Sequence, residues 1–428
     1  MREPADITRE TPQGAARARL KAAALSAGPE LVSLTRELVK IDSQTPPSDT
    51  RAAAAFAADY LSALPGIEVS LHSPYAPIQN LVARLGGKTQ GRRLIVSGHL
   101  DTYPIGARSQ WTRDPLGGEV VGNRLYGRGA ADMKGGVAAS LIVMRLLAET
   151  IAEFPGELVL ALAGDEESMG EDGTQFLIDM VPACRADAVI VPDVGSPQIL
   201  RCGEKGMIWL CLEASGRAAH GAHVHRGDNA IASLISALDA LRQLERMQMP
   251  DTVEAASWMN QAKALSEPLG GAGEFAVMSR VTVNVGTIAG GTSPNLVPDT
   301  ARAELDIRLP MGVTVAAVEA EIARLLADHP AVECSVTRRY EATWTSPCEP
   351  IVSGTLAACR EILPVPVAPN MRVGASDARL WRRAGMPTVV CGLTPTNLGG
   401  PDESLDVKEL PILAAILSLS VFDFLHSG

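Results

Sequence analysis

An imidazole and several carboxylates recur at the ends of apolar runs in the first half of this chain. Ser97-Gly98-His99-Leu100-Asp101 closes an apolar run that begins at Leu94. Gly127-Arg128-Gly129-Ala130-Ala131-Asp132-Met133-Lys134-Gly135-Gly136 opens a long stretch of helical character. Gly164-Asp165-Glu166-Glu167 ends the run Leu158 to Ala163, and Asp193 ends the run Ala188 to Pro192. Imidazole nitrogen with several carboxylate oxygens is the donor set that zinc and similar divalent ions take. No single piece is specific, because His-x-Asp arises by chance in many chains. The ordered set, each piece at a strand end or a helix start, points to a metal-hydrolase site.

Each piece also has a plainer explanation. Alternate side chains of a strand share a face, and where the chain turns after His99, Asp101 can stand behind the ring and fix its tautomer. A loop histidine beside a helix-capping aspartate would look the same. The glycines around Asp132 let backbone approach an ion, at an entropic cost, while the position also suits a helix N-cap. The Lys134-Gly135-Gly136 stretch lacks the order of a phosphate loop. Glu166 and Glu167 cannot both ionise cheaply in a buried cleft without a cation. With one, a carboxylate can hold the metal while the other acts as general base on water. A solvated acidic turn, with Glu171 and Asp172 nearby, is the alternative. The abrupt step from Leu158-Val159-Leu160-Ala161-Leu162-Ala163 to acid favours a site. Asp193 draws its weight from the set.

A length of 428 residues suits two domains, and 46% hydrophobic with 20% charged residues is a globular composition. The net charge of -11, the lack of a basic stripe and the 4% aromatic content argue against a nucleic-acid partner. Seven scattered cysteines, none in a Cys-x-x-Cys pair, read as reduced thiols of a cytoplasmic protein. The N-terminus lacks an apolar signal core. Leu410 to Leu425 is broken by Pro411, Asp423 and serines, so a core helix is expected and no membrane partner.

Met1 to about Leu25 is polar and alanine-rich, the pattern of a frayed arm or loose helix. Glu30 to Lys40 and Thr50 to Leu64 carry apolar residues at helical spacing. From Asn80 to Asp193 strands and helices alternate, with Gly135 to Thr150 as one long helix. The expected class is α/β, a mostly parallel sheet with helices on both faces. Ligands in such sheets bind beyond the carboxyl ends of the strands, where the acidic motifs fall. The pattern changes near Lys205. Met207 to Ala214, Val281 to Ile288, Ala301 to Leu309 and Val332 to Tyr340 read as strands, Asn229 to Arg246 and Val313 to Ala327 as helices. That order is a ferredoxin-like α+β sandwich, with Pro250 to Ala276 as an insertion. Thr388 to Cys391 and the C-terminal helix return to the first domain. The expected division is residues 1–205 and 342–428 for a catalytic domain and 206–341 for an inserted one.

These residues resemble the dinuclear-zinc amidohydrolases that include acetylornithine deacetylase, succinyl-diaminopimelate desuccinylase, aminoacylase and the glutamate-releasing carboxypeptidase. The resemblance runs from about Leu25 to the C-terminus. It rests on Gly98-His99-Leu100-Asp101-Thr102, on Gly127-Arg128-Gly129 with Asp132-Met133-Lys134-Gly135-Gly136, and on Asp165-Glu166-Glu167 in that order. It implies a zinc-exopeptidase-like catalytic domain with an inserted lid and dimerisation domain, hence a homodimer. It implies zinc as cofactor, one or two ions, with cobalt or manganese as alternatives. His99 and Asp193 would bind one metal, Asp132 would bridge to a second, and Glu167 would bind that second ion. Glu166 would be the general base and Asp101 would orient His99. A cis peptide between Asp132 and Met133 also follows from the resemblance.

In the inserted domain, Gly216-Arg217-Ala218-Ala219-His220 resembles the segment whose histidine stabilises the tetrahedral oxyanion, often across a dimer. A surface cluster of His220, His223 and His225 is the plainer explanation. Asn295 and Arg308 resemble substrate-binding positions, the guanidinium holding a carboxylate through two parallel hydrogen bonds. Gly374 and Ser376, in Gly374-Ala375-Ser376-Asp377-Ala378-Arg379, resemble the loop near the substrate carboxylate. One departure stands out. The family commonly has a metal-binding histidine four residues before the glutamate of a C-terminal Pro-Asp-Glu, and here that place is Gly399, before Gly400-Pro401-Asp402-Glu403. The expected activity is amide hydrolysis of an N-acyl amino acid or small peptide-like substrate bearing a carboxylate. Two alternatives stay open: a carbamoyl or ureido C–N hydrolase at the same site, and a catalytically dead ligand-binding relative. Glu166 speaks against the last, and Gly399 for it.

Overall fold

The computed structural model describes residues 12–150 and 154–427. The chain divides into two compact units. The first comprises the residues up to Cys202, Thr345–Pro369 and those from Ser376 on; the second is Gly203–Trp344 with Asn370–Ala375.

In the first unit the strands run in the order Ile67–His72, Asn80–Gly86, Pro155–Ala163, Thr89–His99, Ala188–Val191, Thr388–Val390, Ile199–Glu204. The four central strands, Pro155–Ala163 to Thr388–Val390, are parallel, and the flanking ones pair antiparallel. The apolar runs of the sequence are these parallel strands. Leu158 to Leu162 and Leu94 to Val96 are essentially inaccessible, as expected where both faces of a sheet are covered. Ile95 joins Val159, Val189, Leu177 and Trp381 in one cluster. Glu409–His426 lies against Thr89–His99 and Pro155–Ala163 and packs on the helices Pro12–Ser26, Gly135–Thr150 and Pro350–Ile362. It is long and apolar enough to cross a membrane, but 72% of it is buried inside the protein.

The first helix corrects one expectation. Residues 1–11 of the polar arm lie outside the described residues, but Pro12–Ser26 is neither frayed nor loose. Leu20 and Ala24 are fully buried, and Arg17 reaches both Asp423 and Glu361. The sequence window looked polar because only a narrow stripe of the helix is covered.

In the second unit the strand order is Thr282–Gly290, Thr300–Leu309, Gly206–Ser215, Val332–Tyr340, antiparallel throughout. Two helices, Ala230–Leu241 and Val315–Leu326, pack on the sheet around Leu210, Leu212, Leu234, Leu305 and Ile322. This is the ferredoxin-like order. The helix read as Asn229 to Arg246 stops at Leu241 and continues as a tighter turn, Arg242–Arg246. The insertion forms two helices, Glu254–Gly270 and Glu274–Met278, around Met249, Met259, Met278 and Phe275. Lys205 anchors it, donating from Nζ to the carbonyl oxygens of Val277 (2.6 Å) and Arg280 (2.7 Å). Burial pushes that ammonium down to about 7. All seven cysteines are free thiols, with Cys334 and Cys348 exposed.

Candidate metal centre

Parallel strands end on one side of a sheet. The register aligns His99 with Ala163, so the imidazole and the acid turn after Ala163 emerge together. The Asp132 loop closes over them before the helix Gly135–Thr150. The result is one group in which a ligand atom each from His99, Asp132 and Glu167 lie within 4.8 Å of one another. His99 Nε2 stands 3.1 Å from Asp132 Oδ1, and its Nδ1 stands 2.9 Å from the main-chain oxygen of Asp101. Burial draws the ring's pKa down, but the bonds to Asp101 and Asp132 outweigh it and hold the imidazole well above its ordinary range.

Asp101 serves two neighbours. Its main-chain oxygen faces His99, while its carboxylate, Oδ1 3.5 Å from the ring, accepts from the N–H groups of Glu166 (3.1 Å) and Glu167 (3.0 Å). Thr45 donates to the same carboxylate at 2.8 Å. Asp101 thus holds the acid turn as well as the imidazole. That turn is tightened by Met169 N–H on the Glu166 oxygen and Gly170 N–H on the Asp165 oxygen. Arg379, buried, donates at 2.6 Å to the oxygens of both Met169 and Ser376, binding the turn to the segment Ser376–Arg379.

Glu166 and Glu167 are half-buried. Burial first, then Asp377, Asp193 and Asp132, push Glu166 well above the carboxylate range against the opposing pull of His99. Burial, Asp132 and Glu166 do the same to Glu167. Oε1 of Glu167 is buried without a hydrogen-bond partner among the described residues. An anionic oxygen in that state is costly, and a cation is the group that would satisfy it. One imidazole and two carboxylates, one of them with an orphaned oxygen, therefore fit a divalent ion.

Asp193 is not part of the converging group. It is buried, within electrostatic reach of Glu166, and its Oδ1 accepts from the N–H of Val194 at 2.6 Å. The peptide between Asp132 and Met133 is cis.

Sequence reasoning passed over a second layer. Arg128, buried, binds the carboxylate of Glu403 and donates to the oxygens of Gly399 (2.8 Å) and Gly400 (3.2 Å). Glu403 in turn accepts from the N–H groups of Ala131 and Asp132. Burial and Asp132 push Glu403 up to about 7, against the pull of Arg128. Both residues sat inside quoted motifs, but 275 positions separate them. Gly399 adopts φ +69°, and a side chain there would meet the ring of Tyr103 at 3.7 Å.

The remaining candidates divide between the units. Ser376, in the first, is buried, and its hydroxyl accepts from Ala378 N–H. Gly374, His220, Asn295 and Arg308 belong to the second. His220 and Asn295 are exposed, and Arg308 pairs with Asp306 at 2.8 Å while its Nη1 has no partner among the described residues.

Residues 95–422 match the profile of Peptidase family M20/M25/M40. The chain belongs to this family. This M20 chain is 32% identical over 356 residues to succinyl-diaminopimelate desuccinylase of Cereibacter sphaeroides, covering 79% of the chain and 85% of that protein. It is 31% identical over 404 residues to the enzyme of the same name from Rhodospirillum centenum, covering 91% and 95%. Among solved structures, the M20 metallo-carboxypeptidase of Sulfolobus solfataricus superposes with a TM-score of 0.76 at 18% identity, over 91% of this chain and 99% of that one. The M20 chain is therefore a hydrolase with the family's fold.

Proposed function

We propose that this protein is a metal-dependent deacylase that cleaves the amide bond of an N-acyl amino acid or a small peptide-like substrate. The observation that carries the reading is the His99, Asp132 and Glu167 group beside a second raised carboxylate, Glu166. The relatives named above support the acyl-amino acid class. A divalent ion held there, with zinc the first choice and cobalt or manganese the alternatives, would supply Lewis acidity to the scissile carbonyl and acidify water. Asp193, beyond the converging group, would be a further ligand. Glu166 takes a proton from the attacking water and returns it to the leaving amine. Its raised proton affinity suits a group that first takes up a proton and then returns it. Asp101 keeps Glu166 and His99 in position.

Of the second unit, His220 would stabilise the oxyanion, and Asn295, Arg308 and Gly374 would hold the substrate's polar groups, as would Ser376 of the first. Arg308 Nη1, left without a partner, suits a carboxylate. We also propose one tightly held ion per chain. At Gly399 there is no ligand atom on the side chain, and its carbonyl is engaged by Arg128. The second unit would mediate homodimerisation, supported by its edge strand Thr282–Gly290 and by Ile288 and Ile235, 55% and 48% exposed. Reduced thiols support a cytoplasmic site of action.

A panel of N-succinyl, N-acetyl and N-carbamoyl amino acids and dipeptides, assayed after reconstitution with zinc, cobalt or manganese, tests the reading. Turnover of acyl amides is expected. Turnover of carbamoyl compounds alone would move the assignment to C–N hydrolysis of ureido groups. No turnover with any ion would leave a ligand-binding relative.

A further inference from the structure

We infer that the turn carrying His220 and Asn295 is preset as a neutral pair of hydrogen-bond donors, with Ser293 and the main-chain N–H of Ala222 setting its polarity. The inference rests on the proposal that these two side chains meet oxygens of the substrate.

The two residues form one piece of structure. Ala219–His220 pairs with Leu296–Val297, placing His220 opposite Leu296. The N–H of Gly221 donates to the carbonyl oxygen of Asn295 at 2.6 Å. A β-carbon on Gly221 would lie 2.9 Å from that carbonyl carbon, so glycine is what lets the two backbones touch. His220 and Asn295 therefore move together.

Each side chain has its acceptor occupied from within. The N–H of Ala222 donates to Nδ1 of His220 at 3.1 Å. In a neutral imidazole an accepting Nδ1 places the proton on Nε2, which then donates. The hydroxyl of Ser293 donates to Oδ1 of Asn295 at 2.5 Å. The amide NH2 is what remains for a ligand. The turn can thus offer N–H from both residues without adding charge. It suits an oxygen rich in lone pairs, the amide carbonyl as it becomes an oxyanion or a carboxylate, and it disfavours an ammonium or another donor. Without Ser293 the amide could turn its oxygen outward, and without the Ala222 N–H the imidazole could present a bare nitrogen. Either would set a lone pair against the substrate's oxygen.

Ser293→Ala and Ala222→Pro test this in the metal-loaded full chain, beside Ser293→Thr, His220→Ala and Asn295→Ala. Proline removes the N–H at a position near a turn's start where its φ is tolerated. Kinetics, thermal midpoint and ¹⁵N NMR of the imidazoles are read together. Ser293→Ala and Ala222→Pro should each lower kcat/KM about three- to tenfold, the scale of one hydrogen bond, with the thermal midpoint unchanged. Ser293→Thr should restore the rate. NMR should find Nε2 protonated in the parent and a tautomer mixture in Ala222→Pro. Wild-type kinetics in Ser293→Ala and Ala222→Pro, with His220→Ala and Asn295→Ala impaired, would overturn the inference and leave the function standing. If His220→Ala and Asn295→Ala are fully active, the substrate role falls, and the tautomer then decides: Nε2–H supports the preset turn and Nδ1–H overturns it.

Discussion

The acid centre of the first unit and the donor turn of the second are built on opposite principles. The centre is made of acceptors that are buried or half-buried and held redundantly. Asp132 is fixed by Glu403, which is fixed by Arg128, and the Glu166-Glu167 turn is fixed by Asp101 and Arg379. The turn is made of exposed donors, each oriented by a single hydrogen bond. The difference follows from what each must meet. Carboxylates crowded away from water repel one another and stay in place only when a framework of N–H groups and a guanidinium opposes them, and a cation completes the balance. Neutral donors carry no such cost and need only the right atom facing out.

The largest effect should come from the acid centre. Glu166→Gln keeps the size and the framework bonds but removes the proposed base, so kcat should fall at least about a hundredfold while metal content stays near the parent's. A rate above roughly a tenth of the parent's would show that another group takes the proton. Removing a donor should cost less. His220→Ala should lose on the order of tenfold to a hundredfold in kcat with KM nearly unchanged. If the turn serves a neighbouring subunit, mixing His220→Ala with Glu166→Gln subunits should restore part of the activity. No recovery in verified mixed dimers would place the turn's action within its own chain.

A smaller effect concerns the redundancy itself. Titration of metal-stripped protein should find one tight ion per chain. Gly399→His alone should not add a second, because φ +69° costs a side chain of order 1–3 kcal/mol. Two equally tight ions in the parent would show that another residue has taken the place of the imidazole.

The smallest effect contrasts with both regions, because Lys205 is a buried cation held by neutral carbonyls. Its folded pKa of about 7 lies below the ordinary 10.5, so between these values the unfolded chain binds the extra proton. Stability must then rise with pH across that window, with the penalty of the buried charge present in full below 7. The difference in stability between the parent and Lys205→Met should therefore move in the parent's favour from about pH 7 to 10. A difference independent of pH would mean that the ammonium stays charged in the fold.

Much of the architecture was legible because it is periodic. Gly135–Thr150 is the helix that its sequence announces, and the parallel strands are the uninterrupted apolar runs. The helix Pro12–Ser26 was legible only as polar, since its buried stripe is too narrow to show in composition. At the site, His99, Glu166 and Glu167 were legible as candidates from residue type at the ends of apolar runs, and Asp132 from its place at a glycine-flanked helix start. Arg128 and Glu403 were not assigned a role, although both lay in the motifs, because nothing local says that a guanidinium will meet a carboxylate from the other end of the chain.

The sequence by itself determined which atoms are available: one imidazole and a set of carboxylates placed where parallel strands must end, and no side-chain ligand at position 399. Those are facts of residue identity and short-range period. The tertiary structure alone decided how the atoms are used. It gave the carboxylate of Asp101 to the acid turn and set the Gly399 carbonyl against Arg128. Hydrogen-bond polarity depends on partners brought together from distant positions, and no local pattern of residues records which partner arrives.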